Sequence, residues 1–127
     1  MEVLSGRVLV QPVDPERSHH FYGEVLGLAV YREFGEGPTR GVVYFMGGGY
    51  LEVSGRASAP ASPKNIRLWL QVRDLQAACE ELRAKGVPIE REPRREPWGL
   101  DEMWIADPDG LPIAVIEVPE DHPIRRR

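Results

Sequence analysis

Arginine, glutamine and tryptophan recur at alternating positions of two short segments, and these residue types suit ligand binding. Residues 7–14 read Arg-Val-Leu-Val-Gln-Pro-Val-Asp, and residues 67–74 read Arg-Leu-Trp-Leu-Gln-Val-Arg-Asp. At an offset of 60, Arg7 matches Arg67, Gln11 matches Gln71 and Asp14 matches Asp74. Alternate residues of a strand share a face. Arg7, Leu9 and Gln11 therefore point one way, as do Arg67, Trp69 and Gln71, while Val8, Val10, Leu68 and Leu70 form the opposite, apolar set. A guanidinium clamps anions, a glutamine amide offers neutral hydrogen bonds, and an indole is a stacking platform. Glu52, in Tyr50-Leu51-Glu52-Val53, is the only candidate general base; it either works beside an arginine that steadies an oxyanion or forms an ion pair with one. Trp98, in a loop opened by Pro97 and Gly99, is a further ligand-facing aromatic, whereas Trp104 reads as core.

Other reactive side chains carry less. His19 and His20 are adjacent on a helix, so they cannot both aim at one ion, and His20 lies four residues from Glu24, within pairing reach. They read as solvated or partly packed imidazoles, and His122 belongs to a polar tail. Cys79 falls on the apolar side of a helix and reads as a small core residue. No serine sits in a nucleophile elbow, and Gly47-Gly48-Gly49 joins two strands rather than opening a helix, so it is a turn. Asp107-Pro108-Asp109-Gly110 is a turn as well.

The elements that position these residues repeat. After Asp14, a capping residue with Pro15 in the first helical position, Phe21, Tyr22, Val25 and Leu26 share a helix face, and Gly27 ends the helix. After Asp74, Leu75, Ala78, Cys79 and Leu82 do the same, ending at Gly86. Extended pieces follow at 29–32 and 87–91, then strands at 41–46 and 50–53 in the first half and at 102–106 and 112–118 in the second. A segment rich in Ser, Ala and Pro separates the halves. The expectation is an α+β domain of two βαβββ modules, at about 5–54 and 66–118, with a linker at 55–65 and a polar tail at 119–127. One helix covers one face of each four-stranded unit. Two such units are expected to form a curved mixed sheet around a cup, helices outside, paired within the chain or across a dimer.

Composition sets the outer bounds. The chain has 127 residues, 42% hydrophobic and 28% charged, enough for one globular domain. A net charge of −4 and no basic stripe before the last three arginines argue against nucleic acid as a partner. No apolar run approaches the roughly 20 residues that cross a bilayer. The start, MEVLSGRVLV, lacks the basic and small-residue pattern of a signal peptide, and one cysteine excludes an internal disulfide. A cytoplasmic protein is expected.

Several stretches resemble the glyoxalase/bleomycin-resistance, or vicinal-oxygen-chelate, superfamily. Asp14-Pro15-Glu16-Arg17-Ser18 with Phe21-Tyr22 and Leu26-Gly27-Leu28 is similar to its first-helix signature; Trp98-Gly99 and Asp107-Pro108-Asp109-Gly110 are similar to its last hairpin. The likeness spans residues 7–118. It implies a homodimer and a cup for a small ligand, but no single reaction. In metal-using relatives each module supplies a His or Gln from its first strand and a Glu from its fourth. Those positions fall here on Arg7, Arg67, Glu52 and Ala114. A guanidinium has no lone pair to offer, so one position of four keeps a ligand-capable side chain. The expected protein is a metal-independent small-molecule binder of the bleomycin-resistance-like branch, with no cofactor. It would use Arg7, Gln11, Glu52, Arg67, Trp69, Gln71 and Trp98. The alternative is a Ni-, Mn-, Fe- or Zn-dependent lyase, isomerase or dioxygenase with relocated ligands, Glu52 acting with His19, His20 or a residue of a partner chain.

Overall fold

A computed structural model describes residues 1–60 and 65–123. Residues 61–64 of the expected linker and Arg125–Arg127 of the expected tail lie outside them. The chain divides into two compact units, Met1–Ala61 and Ser62–Arg127. Each holds one four-stranded mixed sheet and one principal helical segment, so the fold is α+β with a repeated module.

The first unit comprises β1 (Val8–Val10), α1 (Pro15–His19), β2 (Val30–Phe34), β3 (Gly41–Met46) and β4 (Gly49–Val53). The sheet runs β1-β4-β3-β2, with β1 parallel to β4 and the other pairs antiparallel. Asp14 caps α1, its carboxylate accepting from the Arg17 N–H at 3.3 Å, and Pro15 takes the first position. The segment does not continue as plain α-helix. Over His20–Val25 it widens into a π-helix, the Leu26 N–H donating to the Phe21 carbonyl at 2.8 Å, an i to i−5 bond. Apolar spacing of 3.6 residues carries no sign of that extra residue. Tyr22, Val42, Tyr44, Leu51 and Val53 form the core on this side of the sheet.

The second unit repeats the plan with β5 (Leu68–Gln71), α2 (Leu75–Ala84), β6 (Arg91–Arg95), β7 (Asp101–Ala106) and β8 (Pro112–Glu117), in the order β5-β8-β7-β6. β5 is parallel to β8, as β1 is to β4. The helix packs on β6, β7 and β8. Leu75, Cys79 and Leu82 are buried with Leu68, Met103, Ile105, Ile113 and Val115, so Cys79 is a core residue.

One element lies later than its sequence suggests. The extended piece expected at 87–91 meets the observed strand only at Arg91. The Val87 N–H still bonds the Leu82 carbonyl at 3.0 Å, so the apolar Val87-Pro88-Ile89 run belongs to the end of α2 and the link beyond it. The true strand, Arg-Glu-Pro-Arg-Arg, has no apolar alternation, and its Pro93 is tolerated because β6 is an edge. Of the edge strands, β2 and β6 are bulged: the register shifts between Val30 and Arg32 in β2 and between Arg91 and Arg94 in β6.

Candidate functional site

The side of each sheet opposite its helix carries the functional groups. Paired strand residues project to the same side of a sheet. In the second unit, Trp69 on β5 pairs with Ala114 on β8, Ala114 with Trp104 on β7, and Trp104 with Arg91 on β6. One row therefore crosses the whole sheet: Trp69, Ala114, Trp104, Arg91. Gln71, two residues after Trp69 on β5, shares its face, and Arg67 stands one residue before the strand. Ala114 is small enough for Arg67 to cross β8, and its guanidinium carbon lies 4.2 Å from the Trp104 ring centre. Arg91 reaches the same indole from the other side of β7, at 3.8 Å. Two cations on one ring form a cation–π cluster.

Carboxylates support part of it. Arg91 is ion-paired with Glu96 and donates to the Glu102 carbonyl at 3.3 Å. Glu96 and Glu102 are only 4% and 5% exposed. The Trp98 indole N–H donates to Glu102 at 2.6 Å. His122, from the tail, contacts the Trp98 carbonyl at 3.1 Å. Behind them, Leu100 and Val118 close over Ala114 and Ile116 as a small apolar cluster, with Trp104 against it.

Several donors on this face have nothing to donate to. Nε and Nη1 of Arg91 and Nε1 of Trp104 are buried and have no hydrogen-bond partner among the described residues. Arg67 is exposed and has no carboxylate partner among them. Trp69 is 48% exposed and Trp98 57%.

The first unit presents a different surface. Leu9 pairs with Glu52 and Val43 with Glu52, so Arg7, Leu9, Val43 and Glu52 share a face. The Arg7 guanidinium donates to Glu52 at 2.9 Å, and the Ser54 hydroxyl donates to its other oxygen at 2.7 Å. The Ser54 bond, followed by Arg7, holds the Glu52 carboxyl below its ordinary value against the opposing effect of burial. The sequence left Arg7 and Arg67 both open as partners of Glu52; Arg7 is the one. Farther along this sheet, Tyr31, Phe45 and Tyr50 form an aromatic group with ring centres 4.8–5.7 Å apart, Tyr31 projecting from the β2 bulge. Gln11 is exposed and lies against Gly55, where an added Cβ would stand 3.1 Å from its Nε2.

The expected residues thus fall into two groups, Arg67, Trp69, Gln71 and Trp98 in one unit and Arg7, Gln11 and Glu52 in the other. Sequence reasoning missed Arg91, Glu96 and Glu102, and of Trp104 it saw only the packing against the apolar cluster, not the two guanidiniums on its ring. Trp104 is half-buried between guanidiniums rather than sunk in the core beneath α2. The signal was present: Glu102 and Trp104 alternate with Met103 and Ile105, which assigns them to the opposite face.

The histidines lie elsewhere. His20 pairs with Glu24 at 3.1 Å. His19 is buried, with Nδ1 3.1 Å from the Tyr44 hydroxyl and Nε2 3.4 Å from the Arg40 carbonyl. Burial lowers its basicity, which favours the neutral imidazole.

A divalent ion needs several N or O donors converging on one point. Here the first-strand positions carry guanidiniums, Glu52 is already bonded to Arg7 and Ser54, and residue 114 is alanine. No group of three or more His, Cys, Asp or Glu residues suited to a metal occurs among the described residues. Among the described residues, those at the positions where the resemblance implies metal ligands do not suit a divalent ion.

The description of the glyoxalase/bleomycin resistance protein/dioxygenase superfamily matches residues 5–115. The chain belongs to that superfamily. Solved structures of the superfamily fold resemble it over nearly their whole length. TnmS3, an antibiotic binding protein from Streptomyces sp. CB03234, is 22% identical with a TM-score of 0.72, over 93% of this chain and 98% of that one. A superfamily member from Sphaerobacter thermophilus DSM 20745 is 24% identical with a TM-score of 0.66, over 92% and 97%. A lactoylglutathione lyase from Agrobacterium tumefaciens is 18% identical with a TM-score of 0.67, over 92% and 94%. At these identities the likeness is one of fold, shared by a binder and an enzyme alike. No curated protein sequence matches the chain.

Proposed function

We propose that this superfamily member is a metal-independent small-molecule-binding protein that sequesters or carries its ligand on the aromatic face of the second unit. One observation carries the reading. Where metal-using relatives place ligands, this chain places a guanidinium and an alanine, and the guanidinium stacks on Trp104. The face is left with indoles and hydrogen-bond donors, which suits holding a ring-bearing molecule rather than activating one. The fold is shared with an antibiotic binding protein, which supports this reading. Glu52 makes a poor general base, because Ser54 and Arg7 stabilise its ionised form and weaken its pull on a proton. A homodimer in the cytoplasm, with neither nucleic acid nor membrane as partner, belongs to the same reading.

Two measurements test it. In thermal-shift screening, aromatic small molecules raise the melting temperature saturably, and Trp69→Ala removes the shift. Metal content by mass spectrometry, before and after incubation with Ni, Mn, Fe and Zn, stays well below one ion per chain. One tightly held ion per chain, lost in Glu52→Ala, replaces this reading with a metal-dependent lyase, isomerase or dioxygenase.

A further inference from the structure

We infer that the ligand of the second unit is an aryl anion, its ring on Trp69 and its oxyanion on Arg67. The inference rests on the binding role proposed above and adds the chemical class. The accessible donor on this face is the guanidinium of Arg67, which lacks a carboxylate among the described residues, while Nε and Nη1 of Arg91 and Nε1 of Trp104 lie unpaired but buried beneath it. The acceptors are already engaged, Glu96 by Arg91 and Glu102 by Trp98. A face with donors to spare is complemented by a molecule rich in acceptors.

Charge points the same way. The whole chain carries −4, and an acidic surface in general favours cations. This face is the exception. Arg67, Arg91 and Arg94 lie on it against Glu96 and Glu102, three guanidiniums to two carboxylates. A cationic ligand would meet like charge here.

Geometry supplies the fit. Arg67 reaches Trp104 across Ala114, the β8 residue paired with Trp69, so its guanidinium and the Trp69 indole flank the same small side chain. Trp69 and Arg67 are both exposed. Arg67 is held on Trp104 by stacking alone, so it can turn toward an incoming oxyanion without breaking a salt bridge.

The test uses three probes with one ring system, naphthoate, naphthamide and naphthylmethylammonium, titrated into the full-length protein by calorimetry. The expected result is naphthoate at least about tenfold tighter than either of the others, the factor a single charge-assisted hydrogen bond supplies. Added salt narrows that ratio. Arg67→Gln collapses it, and Arg67→Lys, which keeps the charge but loses the planar fork, restores part of it. Equal affinity for naphthoate and naphthamide, or preference for the cation, overturns the anion assignment and leaves the binding role standing. No binding of any probe to the folded wild-type protein at millimolar concentration removes the face as a ligand site, and this inference falls with it.

Discussion

Glu52 shows how neighbours decide the role of a single carboxylate. It is the only acid at a position where metal-using relatives of this superfamily carry one, yet Arg7 and Ser54 already take both of its oxygens. With its pKa held below the ordinary 4.5, Glu52 contributes stability above that pH, and the contribution is lost as pH falls through the lowered folded-state value. Glu52→Gln is expected to cost about 1 kcal/mol at neutral pH, a modest figure because the Arg7 side chain is 35% exposed and its pairing is screened. In urea denaturation the gap between wild type and variant closes once the wild-type carboxyl is itself protonated. A gap that persists unchanged into acid assigns the cost to packing rather than charge. The identity of Glu52 was readable from the chain. Its partner was not, since Arg7 and Arg67 fit the same alternation and only the register of β1 against β4, which seats Leu9 opposite Glu52, separates them.

At the scale of elements, α2 rests on a capped N-terminus. The Asp74 carboxylate accepts from the Ala77 N–H at 3.0 Å, and Glu117 on β8 accepts from the Leu75 N–H at 2.8 Å. Two of the backbone donors that a helix start leaves unpaired are thus met, one locally and one through the fold. Asp74→Ala is expected to lower stability by about 1 kcal/mol in thermal or urea unfolding. A loss near zero means that Glu117 alone holds the helix start. The Asp74 cap was legible because Asp precedes an apolar 3.6-residue pattern; Glu117 was not, because it lies 42 residues away. Strand β6 was misplaced for a related reason. Its residues are charged, its Pro93 breaks ladder bonding, and its bulge destroys the two-residue period on which strand reading depends.

For the whole molecule, exposed apolar side chains set the expectation. In the first unit, Leu9, Tyr31 and Phe45 are each more than 40% exposed on the sheet face away from the helix. Clusters of this kind mark interaction surfaces. Sedimentation equilibrium is expected to return twice the 14.3 kDa chain mass, and a charge placed at Phe45 to shift it toward the single-chain value. A monomer at every concentration removes the homodimer from the proposed function.

The sequence by itself determined the repeated module, the capped helices and the two-faced alternation of the first strands. Each of these is local: a cap, a period or a turn is set by residues within a few positions of one another. Only the tertiary structure decided that Arg67 and Arg91 meet on Trp104, that Glu96 and Glu102 are already engaged, and that Arg7 rather than Arg67 satisfies Glu52. The Arg67–Trp104 and Arg7–Glu52 contacts join strands far apart in the chain, and the others form only when β6 and β7 pair around their bulge. They depend on pairing register, where a slip of one residue would turn every one of these side chains to the other face.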